Sequence, residues 1–246
     1  MSKFYSHGKL LLTGEYLVLD GAESLALPTK KGQSLTIQKT NNPQLNWKSF
    51  DEKGNLWLSN EFDLPKLRIV SETFDSAIED GSDSMALKLQ EILMETRRMN
   101  PEFLTSVTGL EIKAELEFPR NWGLGSSSTL INNIASWAQI DAFELQFKTF
   151  GGSAYDIACA QNNTPIVYQL ENKRPIIRSV SFDPNFKEQL FFVYLNKKQN
   201  SREGIAEYNK FKVKKESVIE EVSKLTNDIL KSKSMDDFER ILIEHE

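Results

Sequence analysis

The spacing of apolar residues divides the chain into segments of different texture. Residues 9 to 40 carry short apolar runs (KLLLTGEYLVLDG, SLALPT, QSLTIQ) punctuated by Gly and Pro, the texture of strands and tight turns. Two further runs, QLNWKSF with Leu45, Trp47 and Phe50, and NLWLSNEF with Leu56, Trp57, Leu58 and Phe62, flank the turn-forming DEKG and predict a hairpin. After residue 83 the period becomes helical: Met85, Leu89, Ile92 and Leu93 share a face, and Asn100-Pro101 supplies a stop. In GLEIKAELEF, from Gly109 to Phe118, apolar residues alternate with polar ones, which predicts a strand with one buried face. Beyond it Leu130, Ile131, Ile134, Ala135 and Ala138 fall on one helix face, with Asn132, Asn133 and Ser136 on another. Towards the C-terminus EQLFFVYL reads as a strand and Val218, Val222, Leu225 and Ile229 as a helix face. Ser234 with Asp237 reads as the start of a helix carrying Phe238, Ile241 and Leu242.

Between the predicted strand and helix lies FPRNWGLGSSSTLINN, Phe118 to Asn133. The first turn of a helix has N–H groups without internal partners and carries the positive end of the dipole, so an anion is stabilised there. Gly123 and Gly125 permit backbone conformations and close approach that a side chain would block, and Ser126 to Ser128 offer hydroxyls for capping, phosphate or metal. A Ser-capped helix after a Gly turn accounts for the same residues equally well. A Walker-type loop is excluded, because no Lys follows the glycines. The dinucleotide fingerprint is a weaker competitor: Gly123-Leu124-Gly125 lacks the third Gly, although Glu144 lies 19 residues after Gly125 and FELQF can be read as a strand.

Composition narrows the field. With 246 residues and 39% hydrophobic content the chain can bury a sizeable core, as one large domain or two small ones. A net charge of -5 argues against nucleic acid as a partner. Cys159 is the only cysteine, which excludes an intrachain disulfide and any metal site built from several thiolates, and on an apolar stretch it reads as core. His7 and His245 are too few and too far apart in sequence for a metal cluster. The apolar run near the N-terminus is broken by Glu15 and Asp20, too early for a signal peptide or a membrane span, so a cytoplasmic protein without membrane association is expected.

Segments on both sides of the Gly-rich loop complete a pattern. SHGKLLLTGEYLVLDGAESLALPT, the GLGSS loop and GGSAYDIACAQNNTPIVYQL, in that order from Ser6 to Leu170, resemble the galactokinase, homoserine, mevalonate and phosphomevalonate (GHMP) kinase superfamily. GEYLVL, Gly14 to Leu19, looks like phosphomevalonate kinases. SAYDIA, Ser153 to Ala158, resembles a mevalonate-kinase-like group with a GYDIA string, here with Ala154 in place of its Gly. The resemblance implies an α+β, two-domain GHMP kinase fold, with a nucleotide-binding domain over 1–180 and a C-terminal ferredoxin-like domain over 181–246. It implies ATP and Mg2+ as cofactors and a small-molecule alcohol or phosphate as substrate. Gly123, Leu124, Gly125, Ser126, Ser127 and Ser128 would hold the nucleotide phosphates, with Ser127 nearest magnesium, although the choice between Ser126 and Ser127 stays open. Asp156 would face the acceptor hydroxyl, Lys9 would sit beside it, and Glu144 is a candidate second metal ligand. On the residues alone, Asp156 can equally be a helix N-cap, Lys9 a solvated strand-end charge and Glu15 a surface turn residue.

One expected feature is missing. The superfamily's third Gly-rich motif, of the form GAGxGG, has no counterpart, because Gly204 is the only glycine after Gly152. The chain ends inside a predicted helix, which reads as an incomplete C-terminal domain. Two functions of different class follow: an ATP-dependent kinase acting on mevalonate or phosphomevalonate, or a nucleotide-binding protein without catalysis.

Overall fold

The computed structural model describes residues 1–74, 85–196, 201–210 and 216–245. An eight-stranded mixed sheet forms its centre. Strand β1 (Ser2–Leu11) runs antiparallel to the long β2 (Ser24–Thr40), with a register shift between His7 and Lys9. Strands β3 (Gln44–Phe50) and β4 (Leu56–Asp63) form the hairpin expected around DEKG, and β5 (Ile69–Phe74) extends it. Strand β6 (Gly109–Leu116) lies antiparallel to β2 and parallel to β3. Strand β7 (Ile166–Glu171) pairs with the first residues of β2 and is followed by β8 (Arg174–Ser179). The order is β5-β4-β3-β6-β2-β7-β8, with β1 paired to β2 off this path.

Alternation decides which face of the sheet is covered. Leu35 of β2, Leu45 and Trp47 of β3, Phe62 of β4 and Ile112 of β6 are fully buried. They pack with Leu89 and Leu93 of α1 (Met85–Met99), Ile131 and Ile134 of α2 (Ser126–Ala138), and Leu145 of α3 (Ala142–Thr149). Burying one such aliphatic or phenyl side chain stabilises the fold by about 1.5–3 kcal/mol. Helix α4 (Tyr155–Gln161) joins this core through Ile157 and a second cluster, with Val18, Ala26, Ile166 and Tyr168, through Ala158 and Cys159. After the short α5 (Ser201–Tyr208), helices α6 (Glu216–Ile229) and α7 (Met235–His245) form a separate apolar cluster with Leu25 and Phe186, through Leu225, Ile229, Phe238 and Ile241.

The α+β class is as expected, and four local readings are corrected. SLALPT and QSLTIQ belong to one 17-residue strand: the register shift opposite Gly8 accommodates Pro28, which has no N–H to give to the ladder. YLVLD is no strand, because Leu17–Asp20 closes as a 3-10 turn ending on Gly21 at φ +96°. FELQF is helical in α3, since the Asp141 carboxylate caps it by accepting from the N–H groups of Phe143 and Glu144; this removes the strand that a dinucleotide fold needs. EQLFFVYL is not a strand either. Lys187–Gln189 is a 3-10 turn, and no described strand pairs with residues 191–195, where Phe191 and Leu195 are 80% and 82% exposed. An apolar run alone does not make a strand without a neighbouring ladder to bond to.

Candidate active site

The Gly-rich loop, the end of β1 and the start of α4 converge on one place. The Lys9 N–H donates to the Leu124 carbonyl at 3.0 Å, which ties β1 to the loop. The Lys9 side chain then runs across Gly125, where an added Cβ would lie 2.9 Å from Lys9 Cγ and 2.8 Å from Ser128 Oγ. Gly125 has φ +86° and Gly123 has φ +72°, conformations that the absence of a side chain makes inexpensive. Helix α2 begins directly after Gly125 and receives no side-chain cap there; its first N–H bonded back into the loop is that of Thr129, to Gly125 O at 3.0 Å. The N–H groups at the head of α2 are therefore available to an anion. Ser127 is exposed, Ser126 is half-buried, and Ser128 is buried with its hydroxyl donating to Gly125 O at 2.9 Å.

At the far end of its side chain, Lys9 Nζ donates to the Tyr155 hydroxyl at 2.7 Å. The next residue is Asp156, in the first turn of α4 rather than at its N-cap, which is Ala154. Ala154 stands at φ +61°, so this turn does demand the left-handed conformation that a Gly would adopt more easily. Its neighbour Ser153 accepts from the Tyr168 hydroxyl, which fastens the turn to β7. Removal from water raises the Asp156 carboxyl above the ordinary carboxylate range, opposed by the Lys9 ammonium and the Ile157 N–H. Burial, helped by the charges of Asp156 and Glu15, also raises the Tyr155 phenol well above its usual value, so it stays protonated. The Cys159 thiol, buried one turn along α4, is pushed up to about 12 by burial and the charge of Asp156, against the Lys9 ammonium, and is inert as a nucleophile.

Lys9, Gly125, Ser128, Tyr155 and Asp156 thus form one cluster. Glu144, on α3, is more than half exposed and pairs with Lys148 at 2.7 Å. Among the described residues there is no group of three or more His, Cys, Asp or Glu side chains arranged to hold a metal. Tyr155 is the participant that sequence reasoning passes over; its only signal is its place beside Asp156 in the turn.

No family profile matches the chain, and no curated protein does. Solved structures do. The mevalonate kinase of Methanococcus jannaschii matches with a TM-score of 0.65 at 16% identity, over 99% of this chain and 77% of its own. Streptococcus pneumoniae phosphomevalonate kinase, solved with phosphomevalonate and AMPPNP, matches at 0.64 and 13%, over 100% and 78%. The chain carries the GHMP kinase fold. A mevalonate diphosphate decarboxylase from Legionella pneumophila, at 0.58 and 11% over 99% and 75%, has it too, so the GHMP kinase fold alone does not determine the reaction. No helix among the described residues is long and apolar enough to cross a membrane.

Proposed function

We propose that the chain is an ATP-dependent phosphotransferase of GHMP type, acting on a small alcohol of the mevalonate or phosphomevalonate kind. The observation that carries this reading is Lys9: its backbone grips the Gly-rich loop and its ammonium reaches the turn that holds Asp156. Donor and acceptor machinery then meet at a single side chain. The phosphate-binding role of Gly123 to Ser128 is supported by the uncapped head of α2 and by the two left-handed glycines.

Phosphoryl transfer requires positioning and charge neutralisation more than covalent help. When bound, ATP supplies the γ-phosphoryl group, and magnesium neutralises charge on its phosphates. The loop N–H groups orient the phosphate chain, and the exposed Ser127 hydroxyl is the metal ligand this chain offers there. Glu144 would have to leave Lys148 to join it. Lys9 balances charge developing between donor and acceptor. Asp156, a stronger base than an ordinary carboxylate, orients the acceptor hydroxyl and takes its proton.

ADP release from ATP and magnesium, with mevalonate and phosphomevalonate offered separately, tests the reading. The expected result is turnover with one acceptor and its loss in Asp156→Ala. ATP binding without turnover on either acceptor would favour the non-catalytic alternative, for which the strained Ala154 is the supporting observation.

A further inference from the structure

Helix α5 lies across the turn that follows β1. The Tyr16 ring stacks on the Tyr208 ring, with centroids 5.4 Å apart and planes inclined by 18°, and the Tyr208 hydroxyl donates to the Asp20 carboxylate. Gly204 gives the Tyr16 hydroxyl room: a Cβ there would collide with that oxygen and stand 3.1 Å from Tyr16 Cζ and 3.2 Å from Cε1. A glycine inside a helix costs stability relative to alanine, and this packing is a reason for having one. Tyr16 itself stands at φ +61° and ψ -43°, outside the left-handed helical region open to residues with a side chain. Such a conformation persists only where its surroundings hold it, and Gly204 and Tyr208 hold the ring.

The turn held in this way packs on the helix of the candidate site. The Val18 N–H donates to Gly14 O and the Leu19 N–H to Tyr16 O, both at 2.9 Å, so Tyr16 and Val18 belong to one closed piece of backbone. Val18 is buried in one apolar cluster with Ala158 and Cys159 of α4, the helix that carries Asp156 in its first turn. The Gln169 amide of β7 fastens the end of the turn by donating to Gly21 O at 2.9 Å. Helix α5 also lies beside Gly152, at φ +83°, where a Cβ would be 4.0 Å from Ile205 Cδ1. It therefore touches both the turn after β1 and the turn that leads into α4.

We propose that Gly204 and Tyr208 are positioning residues: they lock Tyr16 and its turn against α4, and so fix that helix, with Asp156 in its first turn, relative to Lys9 on β1. The consequence for turnover rests on the phosphotransferase reading above; the packing does not.

Gly204→Ala and Tyr16→Phe, singly and together, test this. In a helix whose glycine had no packing role, alanine would raise Tm; against the Tyr16 hydroxyl it should lower Tm by about 2–4 °C. Tyr16→Phe keeps the ring and removes the oxygen, so the double variant should return towards the Tm of Tyr16→Phe alone. Exchange of the Ile157 and Ala158 amides, which donate to Ala154 O, should rise several-fold in Gly204→Ala and fall back in the double variant. With an acceptor, kcat should drop about ten- to hundredfold in Gly204→Ala and recover in the double variant, while KM for ATP holds, because neither residue belongs to the Gly123–Ser128 loop. Tyr208→Leu, which removes the stack without a clash, should repeat the effects on exchange and kcat. A higher Tm in Gly204→Ala, or no rescue by Tyr16→Phe, would overturn the contact. Unchanged exchange of Ile157 and Ala158 in Gly204→Ala and Tyr208→Leu, or an unchanged kcat, would overturn the positioning role. If the wild type turns over no acceptor, the phosphotransferase reading fails, and the two amides still decide whether α5 holds α4.

Discussion

At Asp156 the surrounding protein removes water from a carboxyl that the Lys9 ammonium only partly compensates, so the group holds its proton more tightly in the folded chain than in the unfolded one. The sign of the linkage follows. The stability this group contributes is fully present below the ordinary carboxylate pKa and is lost as pH rises through its raised folded value. At neutral pH the charge is a burden on the fold. Asp156→Asn, which keeps the shape without the charge, should therefore raise Tm at neutral pH, with a gain that shrinks as pH falls below the ordinary carboxylate range. A gain of equal size at every pH would refute the assignment. The same substitution should abolish phosphoryl transfer, the usual trade between stability and activity at a functional site. Gly125 makes the complementary case for geometry. Gly125→Ala places a methyl against Lys9 and Ser128 at φ +86°, which should cost about 1–2 kcal/mol and weaken ATP binding in calorimetry while the circular dichroism spectrum holds.

Helix α2 connects the loop to the rest of the fold, and it is buried on more than its apolar stripe. Asn132 Nδ2 donates to Ser6 Oγ at 2.9 Å, the Ser6 hydroxyl donates to Asn133 Oδ1 at 2.8 Å, and Asn133 Nδ2 donates to Gln33 O at 2.9 Å. Gln161 of α4 donates to Asn132 Oδ1 at 2.9 Å, so β1, β2, α2 and α4 share one buried polar network. Ser6→Ala would leave a buried amide donor and a buried amide acceptor unpaired and should destabilise by about 1–3 kcal/mol in denaturant unfolding. A change within error would mean that the network is not held together through Ser6. The sequence period identified α2 correctly from Leu130, Ile131, Ile134, Ala135 and Ala138, yet it assigned Asn132 and Asn133 to a different face without revealing that this face is also covered. Periodicity reports which residues avoid water, and a buried amide with partners distant in sequence leaves no such mark. The same limit explains Tyr155, whose role depends on Lys9, 146 residues away. The misread EQLFFVYL shows the converse: its apolar run is genuine, but a strand also needs a neighbour that sequence pattern does not supply.

Over the whole molecule, β2 belongs to two apolar clusters, with Leu35 in the one beneath α1 to α4 and Leu25 in the one formed with α6 and α7. We propose residues 1–180 and 181–246 as the two structural units, meeting along this strand. Ile229, fully buried on α6, tests whether the second unit supports the first. Ile229→Ala should cost about 2–5 kcal/mol of stability. Thr226 of α6 donates to Glu23 O and His245 of α7 accepts from the Gly14 N–H, both at 2.9 Å, so if the helices brace the Thr13–Leu25 segment, hydrogen exchange of the Gly14 amide should rise with it; unchanged exchange would show that the second unit packs without bracing. Phosphoryl transfer at the Lys9–Asp156 cluster is most directly measured by phosphorus NMR of ATP and magnesium with mevalonate or phosphomevalonate, comparing wild type with Asp156→Asn. The wild type should move the γ-phosphoryl signal to a new phosphorylated product, and the variant should bind ATP and move nothing. Transfer undiminished in Asp156→Asn, or ATP bound by the wild type with no transfer to either acceptor, would contradict the account.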